Sequence, residues 1–323
     1  MQPAKKAHLV GLDEIAAARR VIAGTLHRTP TITSAALGER IGARLHFKAE
    51  LFQKTGSFKP RGALNKLSTL SDEEKARGVI TISAGNHAQA LAYTAARSGI
   101  AATVVMPAAA VQSKVDATRG YGAEVVLHGS HKDLLPKMQE IQRERDLTYI
   151  PPFDDPAIIA GTGTVGLEIL EDVPEPDVVV VPIGGGGLIS GIAAAIKQSH
   201  PATRIVGVEP TGAAVMTESL RENAPAHWDT LTTIADGLAA PFVGAHNLAH
   251  VQAFVDDVVL VSDDEIVDAL RLIVERCKVM PEPSGAAAYA ALLAGKVAVP
   301  AGATVVALLS GGNVDRARLK EIL

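Results

Sequence analysis

The chain has 323 residues, of which 47% are hydrophobic and only 3% are aromatic. That length accommodates one large or two medium α/β domains, with a core built mainly of alanine, valine, isoleucine and leucine. The formal net charge is −4 and the basic residues are dispersed, so no surface for nucleic acid or for an anionic membrane is expected. The single cysteine, Cys277, excludes an intrachain disulfide and favours a reducing compartment, which for this chain indicates a cytoplasmic location.

Short β-branched runs alternate with helical stretches along the chain. The predicted strands are Val79–Ile82, Ala102–Met106, Glu124–Leu127, Val178–Val181, Arg204–Val208 and Thr304–Leu309. Helical stretches follow two of them, at Ala88–Ser98 and Leu188–Ser199. Continuous apolar strands separated by helices are typical of parallel sheets that are covered on both faces. We therefore predict an α/β fold.

Two segments are candidate domain boundaries. Ser71–Gly78 is polar, and Pro151–Pro156 is rich in proline, which favours an extended crossing. We expect a large discontinuous domain of residues 1–72 and 151–323, and a small inserted domain of residues 73–150. A cleft between two domains is a usual place for a small-molecule site.

A long uncharged run, Val178–Ile196, approaches the length of a membrane span. It contains Pro182 and four consecutive glycines, which a lipid-facing helix would not tolerate. We read this run as a buried strand, a loop and a buried helix, and predict no membrane association.

The segment Lys54–Ala63 places Lys59 directly after Phe58, in a Gly/Ser-rich turn that opens a helical pattern. Burial and a neighbouring cation, such as Arg61, would disfavour the charged form of this lysine. A free amine in such a place can form a Schiff base with a carbonyl compound. The sequence thus predicts that Lys59 is catalytic, the alternative being an ordinary surface lysine.

Five consecutive residues follow a predicted buried strand and open a helix: Gly184, Gly185, Gly186, Gly187 and Leu188. Backbone N–H groups at a glycine-rich helix N-terminus form a cradle for an anion, and phosphate is the expected ligand. A dinucleotide site is the alternative, because Gly185, Gly187 and Gly191 lie one residue off the Rossmann fingerprint and Glu209 ends the next strand.

A second strand-to-helix turn consists of Ser83, Ala84, Gly85, Asn86 and His87. Its amides and the Ser83 hydroxyl are suited to a carboxylate, and the Asn86 amide can donate to a phenolic oxygen. Taken alone, the turn also fits an ordinary helix cap. Ser310 ends the last predicted strand, where a side chain meets a ligand in the crevice of an open sheet.

Several other polar residues have less specific patterns. We predict that Phe153–Gly166, with its paired aspartates, is a loop whose acidic residues form a solvated turn rather than a metal site. Glu282 either places a carboxylate near a ligand or caps the helix Ala286–Leu293, and Asp236-Gly237 is expected to form a turn, the alternative being that it lines the cleft. Residues that contact the substrate side chain are expected in Pro152–Asp155 and around Asp236–Ala239. The ten histidines show no metal-ligand spacing, so no metal site is predicted.

In chain order, the segments Lys54–Ala63, Ser83–Gln89, Gly184–Leu188 and Ser310–Asn313 resemble the fold-type II pyridoxal-phosphate enzymes, and within them the threonine/serine dehydratase and serine racemase group. Ile159–Glu168 adds to the resemblance, which covers nearly the whole chain. It implies a tryptophan-synthase-β-like fold of two open twisted sheets with helices on both faces. It also implies pyridoxal 5′-phosphate as cofactor, a small amino acid as substrate, and a homodimer or homotetramer.

The resemblance implies a role for each cofactor-site residue. Lys59 would hold the cofactor aldehyde and later move the α-proton, and Phe58 would pack against the pyridine ring. Asn86 would bond to the 3′-oxygen, Gly184–Leu188 to the phosphate, and Ser310 to the pyridine nitrogen. A hydroxyl at that nitrogen, rather than a carboxylate, makes the ring a weaker electron sink and favours prompt loss of a β-leaving group.

On the substrate side, the resemblance implies that Ser83–His87 clasp the carboxylate. Serine racemases of this group carry a second serine where this chain has Ala84, so dehydration is expected to dominate over racemisation. Glu209 matches a carboxylate of the divalent-cation site of the racemase-like members, but Val215 stands where a second carboxylate is usual. The chain also ends soon after Asn313, so isoleucine feedback through a regulatory domain is not expected.

The expected activity is α,β-elimination of L-threonine, L-serine or a related 3-hydroxy amino acid to a 2-oxo acid and ammonia. Three alternatives stay open: a racemase of the same fold, a nicotinamide-dependent dehydrogenase, and a non-enzymatic amino-acid-binding regulator.

Overall fold

Residues 7–323, which the computed structural model describes, form ten β-strands and fourteen α-helices. The strands are β1 (Thr31–Thr33), β2 (Arg44–Ala49), β3 (Val79–Ile82), β4 (Ala102–Met106), β5 (Glu124–Leu127), β6 (Thr148–Tyr149), β7 (Val178–Pro182), β8 (Arg204–Pro210), β9 (Asp257–Val261) and β10 (Thr304–Leu309). The helices are α1 (Leu12–Ile22), α2 (Ala35–Ile41), α3 (Lys59–Ser68), α4 (Asp72–Arg77), α5 (Asn86–Arg97), α6 (Gln112–Gly120), α7 (Leu134–Arg145), α8 (Pro156–Asp172), α9 (Gly187–Ser199), α10 (Val215–Glu222), α11 (Ala245–Phe254), α12 (Asp263–Cys277), α13 (Pro283–Leu293) and α14 (Arg316–Ile322).

The larger sheet has six strands in the order β1-β2-β10-β7-β8-β9. All of its neighbouring strands are parallel except the edge pair β1 and β2. The central strands β7 and β10 are apolar and almost entirely buried, because helices cover both faces of the sheet. On one face they pack against α12 and the alanine-rich α13, and on the other against residues of α8 and α9.

The smaller sheet has four parallel strands in the order β5-β4-β3-β6. Its core is formed with α5, α6 and α7, and it also includes Leu67 of α3 and the following Leu70. Helix α3 packs in addition against α8, which belongs to the layer that covers the larger sheet. This helix is therefore shared by the two halves of the molecule.

Helix α8 corrects the prediction of a loop over Phe153–Gly166, which was wrong from Pro156 onward. The Asp155 carboxylate caps the helix by accepting hydrogen bonds from the backbone N–H groups of Ala157, at 2.8 Å, and Ile158, at 3.4 Å. The glycines of this segment lie inside the helix as points of close contact. A Cβ at Gly161, for instance, would lie 2.4 Å from the carbonyl oxygen of Arg61 in α3.

The uncharged run Val178–Ile196 forms β7, a loop and most of α9, as predicted. Within residues 7–323, none of the helices combines the length and apolar character that crossing a membrane requires.

The only tryptophan of the chain, Trp228, lies in the long connection between α10 and α11. Its indole ring packs, partly buried, against the core that contains α9, and its backbone N–H donates to the Pro241 carbonyl at 2.8 Å. Phe242, which follows Pro241, has its ring centroid 5.0 Å from that of Phe153. This connection is thus packed against the segment that precedes α8.

Candidate active site

A cavity of about 700 Å³ opens between the two sheets, at the carboxyl ends of β3, β7 and β10. Openings at the carboxyl ends of parallel strands are the usual ligand sites of such sheets. Every predicted cofactor- and substrate-site residue lines this cavity: Phe58, Lys59, Ser83, Ala84, Gly85, Asn86, His87, Gly184, Gly185, Gly186, Gly187, Leu188 and Ser310.

Lys59 is the first residue of α3, and its side chain enters the cavity. Its Nζ donates a hydrogen bond to the Pro152 carbonyl oxygen at 2.8 Å and lies 5.1 Å from the centroid of the Phe58 ring. Burial lowers the pKa of this ammonium from 10.5 to about 8, although the nearby negative charge of Glu282 acts in the opposite direction. At pH 7 about a tenth of the Lys59 side chains are therefore free amine, against about one in three thousand at the ordinary pKa of 10.5.

Arg61 does not help to neutralise Lys59, so that part of the prediction was wrong. Its guanidinium is fully buried and forms paired hydrogen bonds of 2.7 to 2.9 Å with the carboxylates of Glu50 and Glu168. Burial opposes its charge, but the two carboxylates outweigh that effect and raise the pKa of Arg61. Arg61 anchors the lysine-bearing helix to α8 and to the Glu50 turn.

The glycine loop connects β7 to the N-terminus of α9. Gly186 has φ +93°, a conformation that favours glycine, and a Cβ at Gly185 would lie 2.4 Å from the Phe153 ring. Within residues 7–323, none of the backbone N–H groups from Gly184 to Leu188 donates a hydrogen bond. Five free donors at a helix N-terminus on the cavity wall fit a phosphate group, whose three terminal oxygens can each accept more than one hydrogen bond.

Ser310 directly follows β10, and its hydroxyl is buried at the cavity wall. The contact of its Oγ is a long one, 3.5 Å to the Ser284 carbonyl oxygen, so the hydroxyl is free to turn toward a ligand. The carbonyl of Ser310 accepts a hydrogen bond from the backbone N–H of Phe58 at 3.1 Å. This bond joins the end of β10 to the turn that carries Lys59.

Asn86 begins α5 and lies in a polar chain beside the cavity. Its Nδ2 donates to the Glu282 carboxylate at 2.7 Å, and its Oδ1 accepts from Asn313 at 2.8 Å. A primary amide carries two N–H groups, so one donor is still available to a phenolic oxygen. Burial raises the pKa of Glu282. Its carboxylate lies near both Asn86 and Lys59, which corresponds to the first of the two interpretations of the sequence, a carboxylate near a ligand.

The side chains of His87 and Ser83 form hydrogen-bond contacts within the protein. The buried His87 imidazole lies 3.1 Å from Thr81 Oγ1, and burial together with the charge of Lys59 lowers its pKa to about 3. The Ser83 hydroxyl accepts a hydrogen bond from the Gly85 N–H at 3.2 Å. In the described chain the N–H groups of Asn86 and His87 have no acceptor, so the backbone of this turn offers the carboxylate donors.

Phe153 and Asp236 belong to the two segments that the sequence named as candidates for contacts to the substrate side chain. Phe153 packs under the glycine loop, and Asp236 lies at the cavity mouth 3.7 Å from Lys114. The partners of both residues are far away in the chain, so the sequence carried no signal for these particular contacts.

Glu209 does not serve a dinucleotide site. Its carboxylate is buried and accepts hydrogen bonds from the N–H groups of Met216 and Thr217, at 2.7 and 2.8 Å, and from the Thr217 hydroxyl at 2.6 Å. Burial raises its pKa to about 7. Glu209 does not line the cavity, and the chain from residue 7 onward contains no group of three or more metal-ligating side chains.

Comparison with known proteins gives one family. The family described as "Pyridoxal-phosphate dependent enzyme" matches residues 22–311. The chain is 45% identical over 315 residues to the catabolic L-threonine dehydratase TdcB of Escherichia coli (strain K12), covering 97% of this chain and 96% of the relative. It is 43% identical over 308 residues to the L-threonine ammonia-lyase of Thermotoga maritima, covering 95% of this chain and 76% of the relative.

Among solved structures, maize serine racemase is similar, with a TM-score of 0.93, 40% sequence identity and 97% of each chain covered. The cavity contains groups that could hold such a cofactor: a lysine whose pKa is lowered, free N–H groups that fit a phosphate, and a hydroxyl that fits a ring nitrogen. From the extent of the match and the geometry of the cavity together, the chain belongs to the pyridoxal-phosphate-dependent enzymes of the fold-type II group.

Proposed function

We propose that the protein is a dehydratase that converts L-threonine, L-serine or a related 3-hydroxy amino acid to a 2-oxo acid and ammonia. The observation that carries this proposal is the position of the Lys59 amine. It lies with a pKa lowered to about 8 in the same cavity as the unpaired N–H groups of Gly184–Leu188 and of Asn86-His87.

Each set of groups has a distinct task in this reaction. Pyridoxal phosphate, when bound, supplies an electron-withdrawing ring that acidifies the α-hydrogen of an amino acid. The N–H groups of Gly184–Leu188 hold its phosphate, and the Ser310 hydroxyl bonds to its ring nitrogen. The N–H groups of Asn86 and His87 hold the substrate carboxylate, which fixes the α-carbon near Lys59.

Lys59 Nζ, as a free amine, accepts the α-proton. The bond between the β-carbon and its hydroxyl then breaks with the electron pair on oxygen. The oxygen takes up one proton, which balances the proton that Lys59 removed, and leaves as water. The enamine product is released and is hydrolysed to the 2-oxo acid and ammonia. The two relatives named as threonine dehydratase and threonine ammonia-lyase support this substrate class.

Elimination rather than racemisation is favoured by Ala84, which lines the cavity with a methyl group. Inversion at the α-carbon needs a proton donor on the face opposite the lysine, and a methyl group has no proton to give. A racemase is the second candidate, because of the close similarity to maize serine racemase. The two activities differ in product, since only the racemase returns an amino acid of opposite hand.

A product assay on the purified holoenzyme tests the proposal. L-threonine and L-serine should release 2-oxo acid and ammonia, and 3-hydroxyaspartate and larger 3-hydroxy amino acids should be assayed beside them. Lys59→Ala should abolish release, while Lys54→Ala, in the same segment but outside the cavity wall, should retain it. Parental turnover by Lys59→Ala would refute the proposal, and a D-amino acid as the main product would favour the racemase.

We also infer a homodimer or homotetramer and a cytoplasmic location. Only the family resemblance supports the oligomer, and light scattering of the purified protein tests it. A monomeric, fully active enzyme would contradict the inference.

A further inference from the structure

We propose that Asn247 is a positioning residue that fixes the Gly185–Gly186 peptide so that the Gly186 N–H is aimed at the cofactor phosphate. Asn247 belongs to α11 and is fully buried. Its Nδ2 donates a hydrogen bond of 2.7 Å to the carbonyl oxygen of Gly185. No other residue of the described chain donates to that oxygen.

The direction of the N–H group follows from the planarity of the peptide. In a trans peptide the carbonyl of one residue and the N–H of the next point in opposite directions, and the described chain contains no cis peptide. Asn247 lies behind the loop and is not part of the cavity wall, whereas Gly185 and Gly186 are. With the Gly185 carbonyl held toward Asn247, the Gly186 N–H faces the cavity.

The Gly185–Gly186 peptide needs a fixed partner because it can otherwise rotate between two orientations. Glycine tolerates positive φ as readily as negative φ, so a peptide between two glycines has two accessible orientations. Gly186 has φ +93°, and a Cβ placed on it would lie 3.0 Å from the Asn247 Cβ. Contact with Asn247 and its hydrogen bond therefore select one orientation of this peptide.

Asn247 is itself held in place by two contacts. The Ser190 hydroxyl donates to Asn247 Oδ1 at 3.3 Å, which leaves Nδ2 as the atom directed at the loop. The backbone N–H of Asn247 donates to the Asp154 carboxylate at 3.1 Å. Asp154 follows Pro152 and Phe153, so this hydrogen bond connects Asn247 to the segment whose Pro152 carbonyl accepts a hydrogen bond from Lys59.

The orientation of the Gly186 N–H should affect the binding of the phosphate and of no other part of the cofactor. This inference depends on the cofactor of the family and not on the proposed dehydratase reaction, and its test uses no amino-acid substrate. Pyridoxal carries the same aldehyde and ring as pyridoxal phosphate but lacks the phosphate. Loss of the Gly186 N–H as a donor should weaken binding of the phosphorylated compound only.

The test compares the Kd of the two compounds for apo-protein, measured by absorbance titration, in the parent and in Asn247→Leu. Leucine has a similar size and no N–H to donate. We expect the Kd of pyridoxal phosphate to rise by about tenfold, as for the loss of one hydrogen bond to a charged group, and that of pyridoxal to change by less than about twofold. Gln252→Leu is the matched control, because it removes an exposed side-chain amide of the same helix that donates to Asn223 at 2.6 Å, outside the cavity wall, and it should leave both values near the parent.

Circular dichroism and thermal unfolding check that the variant is folded. Asn247→Ala serves as a second variant, since a smaller side chain cannot clash if leucine does, and the same selective loss is expected. Equal weakening of both compounds would overturn the proposal, because a general disruption of the site acts on either. An unchanged Kd for pyridoxal phosphate would overturn it as well.

Discussion

At the scale of single residues, the proposed chemistry requires that Lys59 lose its proton more readily than an ordinary lysine. Burial accounts for the lowered pKa, and the Glu282 carboxylate limits the fall. The cation suspected from the sequence, Arg61, is neutralised by two buried carboxylates on the other side of the helix. The amine is thus tuned by its surroundings in the cavity rather than by its neighbours in the chain.

The pH dependence of cofactor capture follows from this balance. Because the free amine is the reactive form and its pKa is about 8, the rate at which apo-protein captures pyridoxal phosphate should rise with pH and level off above pH 8. Glu282→Gln removes the negative charge that stabilises the ammonium, so the midpoint should move to lower pH. Asp236→Asn, at the exposed cavity mouth, should leave it in place. Stopped-flow absorbance measures the rate, and a midpoint near 10.5 would contradict the burial of the amine.

Residues of the site that share a contiguous segment could be found from sequence, because a turn encodes its own geometry. Lys59 after Phe58, the tetraglycine loop and the turn from Ser83 are of this kind. The structure brings them to one cavity, and their individual roles stay predictions. Asn247 could not be found, and Phe153 was named only as part of the candidate loop Pro152–Asp155, since each acts on the glycine loop only after the chain has folded.

At the scale of elements, the layer of α3, α8 and α9 is held together by glycines. A Cβ on Gly191 of α9 would lie 2.4 Å from the backbone nitrogen of Gly163 and from the carbonyl oxygen of Ile159, both in α8. Backbone atoms inside a helix cannot give way as a flexible side chain would. The close approach of these helices positions the N-terminus of α9, where the phosphate is expected.

Gly191→Ala should therefore destabilise the protein by about 1–3 kcal/mol or more, as overpacking of a filled interior does. Gly120→Ala is the matched control, because Gly120 ends α6 and a Cβ there would meet nothing within 4 Å. Its effect should be neutral or slightly stabilising. Urea unfolding of both variants measures the difference, and equal free energies of unfolding would show that α8 and α9 can separate without cost.

Apolar strands were easily predicted, since a buried parallel strand is a continuous run of branched side chains. Strand β2 was missed because Arg44, His46 and Lys48 interrupt its apolar pattern. Lys48 is nevertheless fully buried, with its ammonium 2.8 Å from the Glu168 carboxylate. Helix α8 was missed because its three glycines suggested a loop, whereas tertiary contact outweighs their low helix propensity.

At the scale of the whole molecule, we propose that residues 73–150 form a domain inserted between residues 1–72 and 151–323. The four-stranded sheet lies within this range, which supports the proposal. The core of that sheet is not self-contained, however, because it includes Leu67 and Leu70. The helix that begins with Lys59 thus completes the interior of the smaller half.

A comparison of two fragments tests this division. A fragment of residues 59–150 retains both leucines, whereas one of residues 73–150 exposes the apolar surface that they cover. Burial of a leucine contributes about 1.5–3 kcal/mol, so the longer fragment should be the more stable by a few kcal/mol. Chemical unfolding followed by circular dichroism measures both, and a shorter fragment of equal stability would place α3 outside the smaller core.

The solitary indole of Trp228 gives the protein an optical reporter of its own. Its connection is joined to the cavity through Phe242 and Phe153, which lies under the glycine loop. Fluorescence excited at the tryptophan band is emitted by this one side chain. A change in its emission wavelength or intensity therefore reports on the surroundings of Trp228 and does not have to be divided among several tryptophans. The pyridoxal chromophore absorbs where indole emits, and quenching by energy transfer can therefore follow the loading of the protein with cofactor in real time without an added label.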